Sequence, residues 1–134
     1  MADEVATHVH VLREGNDASK TVAAWALGNL ANSYANSVLI AEAGGIPLLL
    51  DLLRDGSADV KASAARALAN LAWNPANRVL IAEAGGIPPL VELLRDGSAE
   101  AKREAAQALD VLAYNDANKV LIAEAGGIPL LVDL

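Results

Sequence analysis

Val38-Leu39-Ile40-Ala41-Glu42-Ala43-Gly44-Gly45-Ile46-Pro47 decides the fold, because the same ten residues return unchanged at Val79 to Pro88 and at Val120 to Pro129. The copies begin at 38, 79 and 120, a spacing of 41 residues each time. Each string holds a stop and a start. Two adjacent glycines end a helix readily, since glycine enters the left-handed region without a Cβ penalty. The proline two residues later fits the first turn of a new helix, where a missing N–H costs nothing.

The central copy shows what lies on either side. Asn77 is the expected N-cap of a short helix through Leu80, Ile81 and Glu83, which Gly85-Gly86 stops. Ile87-Pro88 opens a second helix whose Leu90, Leu93 and Leu94 are helically spaced, and Gly97 closes it. Ser98 is the expected N-cap of a third helix. Glu100 lies near its positive end, and Ala105, Ala108, Leu109 and Leu112 form its apolar stripe. Aligning residues 36–76 with 77–117 gives 28 identities by direct count, and Arg13, Arg54 and Arg95 share one column.

A period of about 40 to 47 residues points to HEAT or armadillo units, whereas ankyrin and tetratricopeptide units run to about 33 and 34. The three-helix division chooses between the first two. With the Gly-Gly-hydrophobic-Pro corner, the strings Ala24-Trp25-Ala26-Leu27-Gly28-Asn29-Leu30-Ala31 and Ala65-Arg66-Ala67-Leu68-Ala69-Asn70-Leu71-Ala72 resemble the armadillo repeat of importin-alpha and beta-catenin. The resemblance covers the whole chain. It implies an all-α fold, a right-handed armadillo α-solenoid of three-helix repeats with a 41-residue period. In that register residues 1–35 supply the second and third helices of a partial repeat, and 36–76 and 77–117 are complete repeats. Residues 118–134 supply a first helix and part of a second, all in one continuous solenoid. Verbatim copies point to engineering, recent duplication or a lineage with near-consensus repeats, and so few repeats point to a fragment.

Composition agrees and excludes other classes. Apolar residues make up 54% of the 134, mostly Ala, Leu, Val and Ile, which is too many for a disordered chain. A net charge of −7 without a Lys/Arg cluster argues against nucleic acid as a partner. There is no cysteine, and two histidines cannot assemble the usual zinc ligand sets, so no metal site and no cofactor are expected. His8 and His10, two apart on a helix, point in different directions. The first helix, with Thr7, His8 and His10 where its copy has Leu48, Leu49 and Asp51, resembles an adapted cap. Met1-Ala2-Asp3-Glu4 lacks the features of a signal peptide, and no apolar run is long enough to span a bilayer. A cytoplasmic protein with no membrane partner is expected. No nucleophile–base pair and no phosphate-cradling loop stands out, so an enzyme is not expected.

The resemblance also implies where binding occurs. In armadillo proteins the third helices line the concave face, and a tryptophan and an asparagine four residues apart hold extended peptides. That spacing places both side chains on one helix face. An asparagine amide can both donate to and accept from a peptide backbone, and the indole walls a side-chain pocket. Trp25 with Asn29 matches the whole motif, Arg66 with Asn70 keeps the asparagine, and Gln107 with Val111 keeps neither. One turn on, the column reads Asn32, Trp73, Tyr114, which returns aromatic surface at a shifted position. The candidate peptide-contacting set is therefore Trp25, Asn29, Arg66, Asn70, Trp73, Gln107 and Tyr114, with proteins or extended peptides as partners and weak binding expected. The alternative is that the tryptophan packs and that Asn29 and Asn70 bond only to their neighbours. Glu104 and Asp110 beside Arg66 and Arg103 make the rim mixed in charge.

A second expectation concerns the C-terminal segment, where Ile128, Leu130, Leu131, Val132 and Leu134 keep the core pattern with no third helix to cover them. Terminal solenoid units need a polar outer face. A homo-oligomer that self-assembles through this end, a structural module with no natural ligand, is the competing reading.

Overall fold

Gly44, Gly85 and Gly126 each stand at φ 82, the left-handed conformation that the paired glycines anticipate. Each turns the chain from a nine-residue helix into the next element. The computed structural model describes residues 2–132, and within them the chain forms ten helices and no strand. Third helices are α2 (Asp17–Leu30), α5 (Ala58–Leu71) and α8 (Ala99–Leu112). Second helices are α1 (Ala2–Glu14), α4 (Gly45–Asp55), α7 (Ile87–Asp96) and α10 (Gly127–Val132). The short first helices are α3 (Tyr34–Glu42), α6 (Pro75–Glu83) and α9 (Asp116–Glu124). No single helix among the described residues is long and apolar enough to cross a membrane.

The helix ends follow the expected chemistry with one correction. Ser98 caps α8 by accepting from the Ala101 N–H, and Pro88 lies in the first turn of α7. Asn77 does not cap α6. That helix begins two residues earlier, at Pro75, and its N-cap is Asn74, whose side chain accepts from the Ala76 N–H. Ser33 and Asn115 cap α3 and α9 in the same way. Asn77 is instead a buried interior residue, and its Nδ2 donates to the carbonyls of Leu71 at 3.1 Å and Ser37 at 3.4 Å. An amide inside a core is tolerated only when its polar atoms find partners, and these two tie the first helix α6 to the third helix α5 and the first helix α3 of the preceding repeat. Asn118 repeats the bonds to Leu112 and Arg78.

The helices stack in two layers. α2 packs on α5 and α5 on α8 in one layer, and α1, α4, α7 and α10 follow one another in the second. The first helices bridge the seams, α3 lying against α1 and α4. The core lies between the layers, with Leu49, Leu50, Leu68, Leu71, Leu90, Leu109 and Leu112 fully buried. Each such leucine contributes about 1.5–3 kcal/mol over its exposed state. α5 has neighbours on both sides within its layer and the second helices beneath, so it buries Ala62, Ala64, Ala65, Ala67 and Ala69 as well. Small side chains there let three helices lie close together without voids.

Arg54, the middle member of the arginine column, makes a contact between repeats. Its Nη2 reaches across to the carbonyls of Ala84 and Gly85, at 3.5 and 3.4 Å, at the end of the next first helix. A cation there meets the negative end of the helix dipole.

Candidate functional site

The layer of third helices leaves one row of side chains directed away from the core. Trp25, Asn29 and Asn32 on and after α2, Arg66, Asn70 and Trp73 on and after α5, and Glu104, Gln107 and Tyr114 on and after α8 are all exposed or half-buried. Their helical neighbours Leu27, Leu68 and Leu109 are fully buried. The alternation is a consequence of the 3.6-residue period on helices whose other face is the core.

Trp25 and Asn29 share one face, and both are engaged from the next repeat. The Arg66 guanidinium carbon lies 3.8 Å from the centre of the Trp25 ring. Its Nη1 donates to the Trp25 carbonyl at 3.2 Å, and its Nη2 to Asn29 Oδ1 at 2.6 Å. A planar guanidinium over an indole gains from the ring quadrupole, and charged donors make the stronger hydrogen bonds. Asn70 is committed as well, since its Nδ2 donates to the Gly28 carbonyl at 2.9 Å. The complete Trp–Asn pair that the sequence singles out is thus filled by the chain's own arginine, and the second asparagine serves the previous helix.

Trp73 and Tyr114 pair with each other, and Arg78 lies over Tyr114 at a longer distance than Arg66 over Trp25. Their ring centres are 5.9 Å apart with planes at 63°, an edge-to-face pair. They remain 52% and 56% exposed, so about half of each ring faces solvent. Arg78 supports the pair from behind. Its guanidinium lies 5.1 Å from the Tyr114 ring, held by bonds from Nε to the Ala72 carbonyl at 2.8 Å and from Nη2 to the Trp73 carbonyl at 3.3 Å. Gln107 is exposed beside them. Burial pushes the Glu104 carboxyl above its ordinary range; Arg66 and Arg103 pull it back, and Glu100 adds to the rise.

The sequence reading misses two things here. It places Arg66 in the peptide-contacting set and on a groove rim rather than over Trp25, although its column, Trp25, Arg66, Gln107, already sets a cation one repeat from an indole. It also finds no role for Arg78, whose copies are Ser37 and Lys119 and give no repeated signal. Hollows lie elsewhere, one lined by Leu53, Arg54, Pro89 and Leu93 and another by Ile46, Pro47 and Leu80, and neither includes the third-helix aromatic residues. Of the residues proposed for self-association, Ile128 is 50% exposed, while Leu130 and Leu131 are partly buried against the core. The Val132 side chain and Leu134 lie outside the described residues.

The model of the armadillo/beta-catenin-like repeat matches residues 33–73 and 74–113, more than half of the chain. The chain belongs to the armadillo-repeat family. No curated protein matches this armadillo chain. Engineered and designed proteins are among the similar solved structures. An engineered protein is 35% identical at a TM-score of 0.91, covering 97% of this chain and 54% of its own. A designed armadillo repeat protein in complex with the peptide (KR)4 is 33% identical at a TM-score of 0.89, covering 97% and 56%. One of a set of computationally designed armadillo repeat proteins for modular peptide recognition is 32% identical at 0.89, with the same coverage. The armadillo chain therefore spans about half the length of these designed proteins.

Proposed function

We propose that this armadillo solenoid is a non-catalytic scaffold whose third-helix face takes an extended peptide. The single observation that carries the reading is the half-exposed Trp73–Tyr114 pair, braced by Arg78 on the same face as Asn70 and Gln107. Large rings held by neighbours and half exposed supply contact area at low entropy cost. Designed relatives with the same architecture include one in complex with (KR)4 and others made for modular peptide recognition, which supports the same use of this face here. The net charge of −7 favours a basic peptide over an acidic one. Three third helices span far less than a standard interface of ~800 Å² per partner, so weak binding is expected. Fluorescence anisotropy with labelled (KR)4 tests this. Saturable binding that falls at least fivefold in Trp73→Ala with Tyr114→Ala is the expected result; equal binding by the variant would refute the assignment.

A second reading, self-association, rests on a different surface. Val120, Leu121 and Ile128 on α9 and α10 are all 41% exposed or more. Burying a few hundred Å² of such surface against a second copy stabilises association by several kcal/mol before association costs, at ~25 cal/mol per Å². Light scattering across a concentration series should show mass rising with concentration and falling back in Leu121→Lys with Ile128→Lys. A constant monomer mass would discard it.

A further inference from the structure

Arg66 occupies the column of Trp25, one repeat on, and its head group makes three contacts with one station: the Trp25 ring face, the Trp25 carbonyl and the Asn29 amide oxygen. A face, an acceptor and a second acceptor around one guanidinium form a filled cation site. The backbone makes room for it. A Cβ added to Gly28 would stand 2.6 Å from Arg66 Nη1, and the same column carries Ala69 and Asp110 in the following copies. Glycine costs an interior helical position about 1 kcal/mol relative to alanine, so its use here is matched to the arginine it admits. Asn70, which donates to the Gly28 carbonyl, anchors α5 against α2 at the same level.

We propose that Arg66 determines the specificity of the groove by acting as the built-in ligand of the Trp25–Asn29 station. A bound peptide therefore meets at that station an indole that is 45% exposed but already has a guanidinium over its face, and at Trp73–Tyr114 a pair of rings 52% and 56% exposed. Withdrawing the arginine head converts the first into a receptor for a guanidinium side chain of the peptide, since the site already holds that group. The inference rests on the peptide-binding reading of this face.

Two variants open the station by different routes. Arg66→Gln removes the head group, and Gly28→Ala displaces it sterically while keeping every charge. Both substitutions install residues that the repeat already carries in those columns, Gln107 and Ala69, and thermal melts followed by circular dichroism are the check that each folds. The probe is a fluorescein-labelled hexa-arginine peptide, titrated by anisotropy. Each variant should bind it about tenfold more tightly than the wild type, equivalent to ~1.4 kcal/mol, and Trp25→Ala in either background should remove the gain. In the wild-type protein without peptide, the Arg66 δ-methylene protons should show an upfield ring-current shift by NMR that Trp25→Ala abolishes. Binding no tighter than wild type in both variants overturns the proposal, as does a gain that survives Trp25→Ala. If all proteins bind equally through Trp73 and Tyr114, the specificity role of Arg66 fails while the peptide-binding face stands. If none binds, both fail.

Discussion

Gly44 carries the backbone cost of its corner without a steric one. Its φ is 82, yet a Cβ built on it meets no atom within 4 Å. Gly44→Ala therefore isolates the left-handed penalty, about 1–2 kcal/mol, and urea denaturation should show the midpoint fall with the slope unchanged. A change below a few tenths of a kcal/mol would contradict that assignment. Glu104 sits at the opposite extreme, a side chain whose surroundings matter more than its backbone. Burial raises its pKa, with Arg66 and Arg103 opposing and Glu100 reinforcing. The folded state then holds the proton more tightly than the unfolded chain. Stability falls as pH rises from the ordinary carboxylate range through the raised value, and the deficit persists above it. Glu104→Gln removes the ionisation, so the variant should melt slightly above wild type at pH 7, with the gap closing as pH drops through the carboxylate range. A gap that widens on acidification would reverse the sign.

Element ends show what the sequence could and could not reveal. The glycine corners, the proline starts and the Ser98 cap are local chemistry, each readable from two or three adjacent residues. The start of the first helix is not, because Asn74 and Asn77 are both good caps by type and only three residues apart. Tertiary packing decides between them. Asn77 lies where the α3, α5 and α6 backbones meet, and its amide reaches the Leu71 and Ser37 carbonyls there. Asn77→Ala should accordingly cost about 1–3 kcal/mol, the range for buried groups that lose their partner, whereas Asn74→Ala loses its cap bond and a 3.2 Å bond to Ser37 Oγ. Thermal melts of the two variants check the assignment, and an Asn77→Ala melt indistinguishable from wild type would reject it. The arginine column was legible as a repeat and illegible as a contact. Arg54 reaches the end of α6, about 30 residues away in sequence, which no spacing within one unit reveals.

At the scale of the molecule, repetition specifies the scaffold and departures from it specify the surface. Identical corners at 38, 79 and 120 make the solenoid readable from sequence, since each unit packs only on its neighbours and the packing problem is solved once. The third-helix face is built from columns that change along the chain: Trp25, Arg66 and Gln107; Asn29 and Asn70, followed by Val111, which is buried; Asn32, Trp73 and Tyr114. Candidate residues could be found in those columns by comparison with the family motif. Their state could not, because whether Trp25 is open depends on an arginine from the adjacent repeat folding over it. The central claim is that the third-helix face, with its open station at Trp73 and Tyr114, takes extended peptides. Amide and indole shift mapping by 1H–15N NMR during titration with an unlabelled basic octapeptide tests it most directly. Shifts concentrated at Asn70, Trp73, Gln107 and Tyr114, with the Trp25 indole little changed, are the predicted result; shifts centred on the first helices, or none at millimolar peptide, would contradict it.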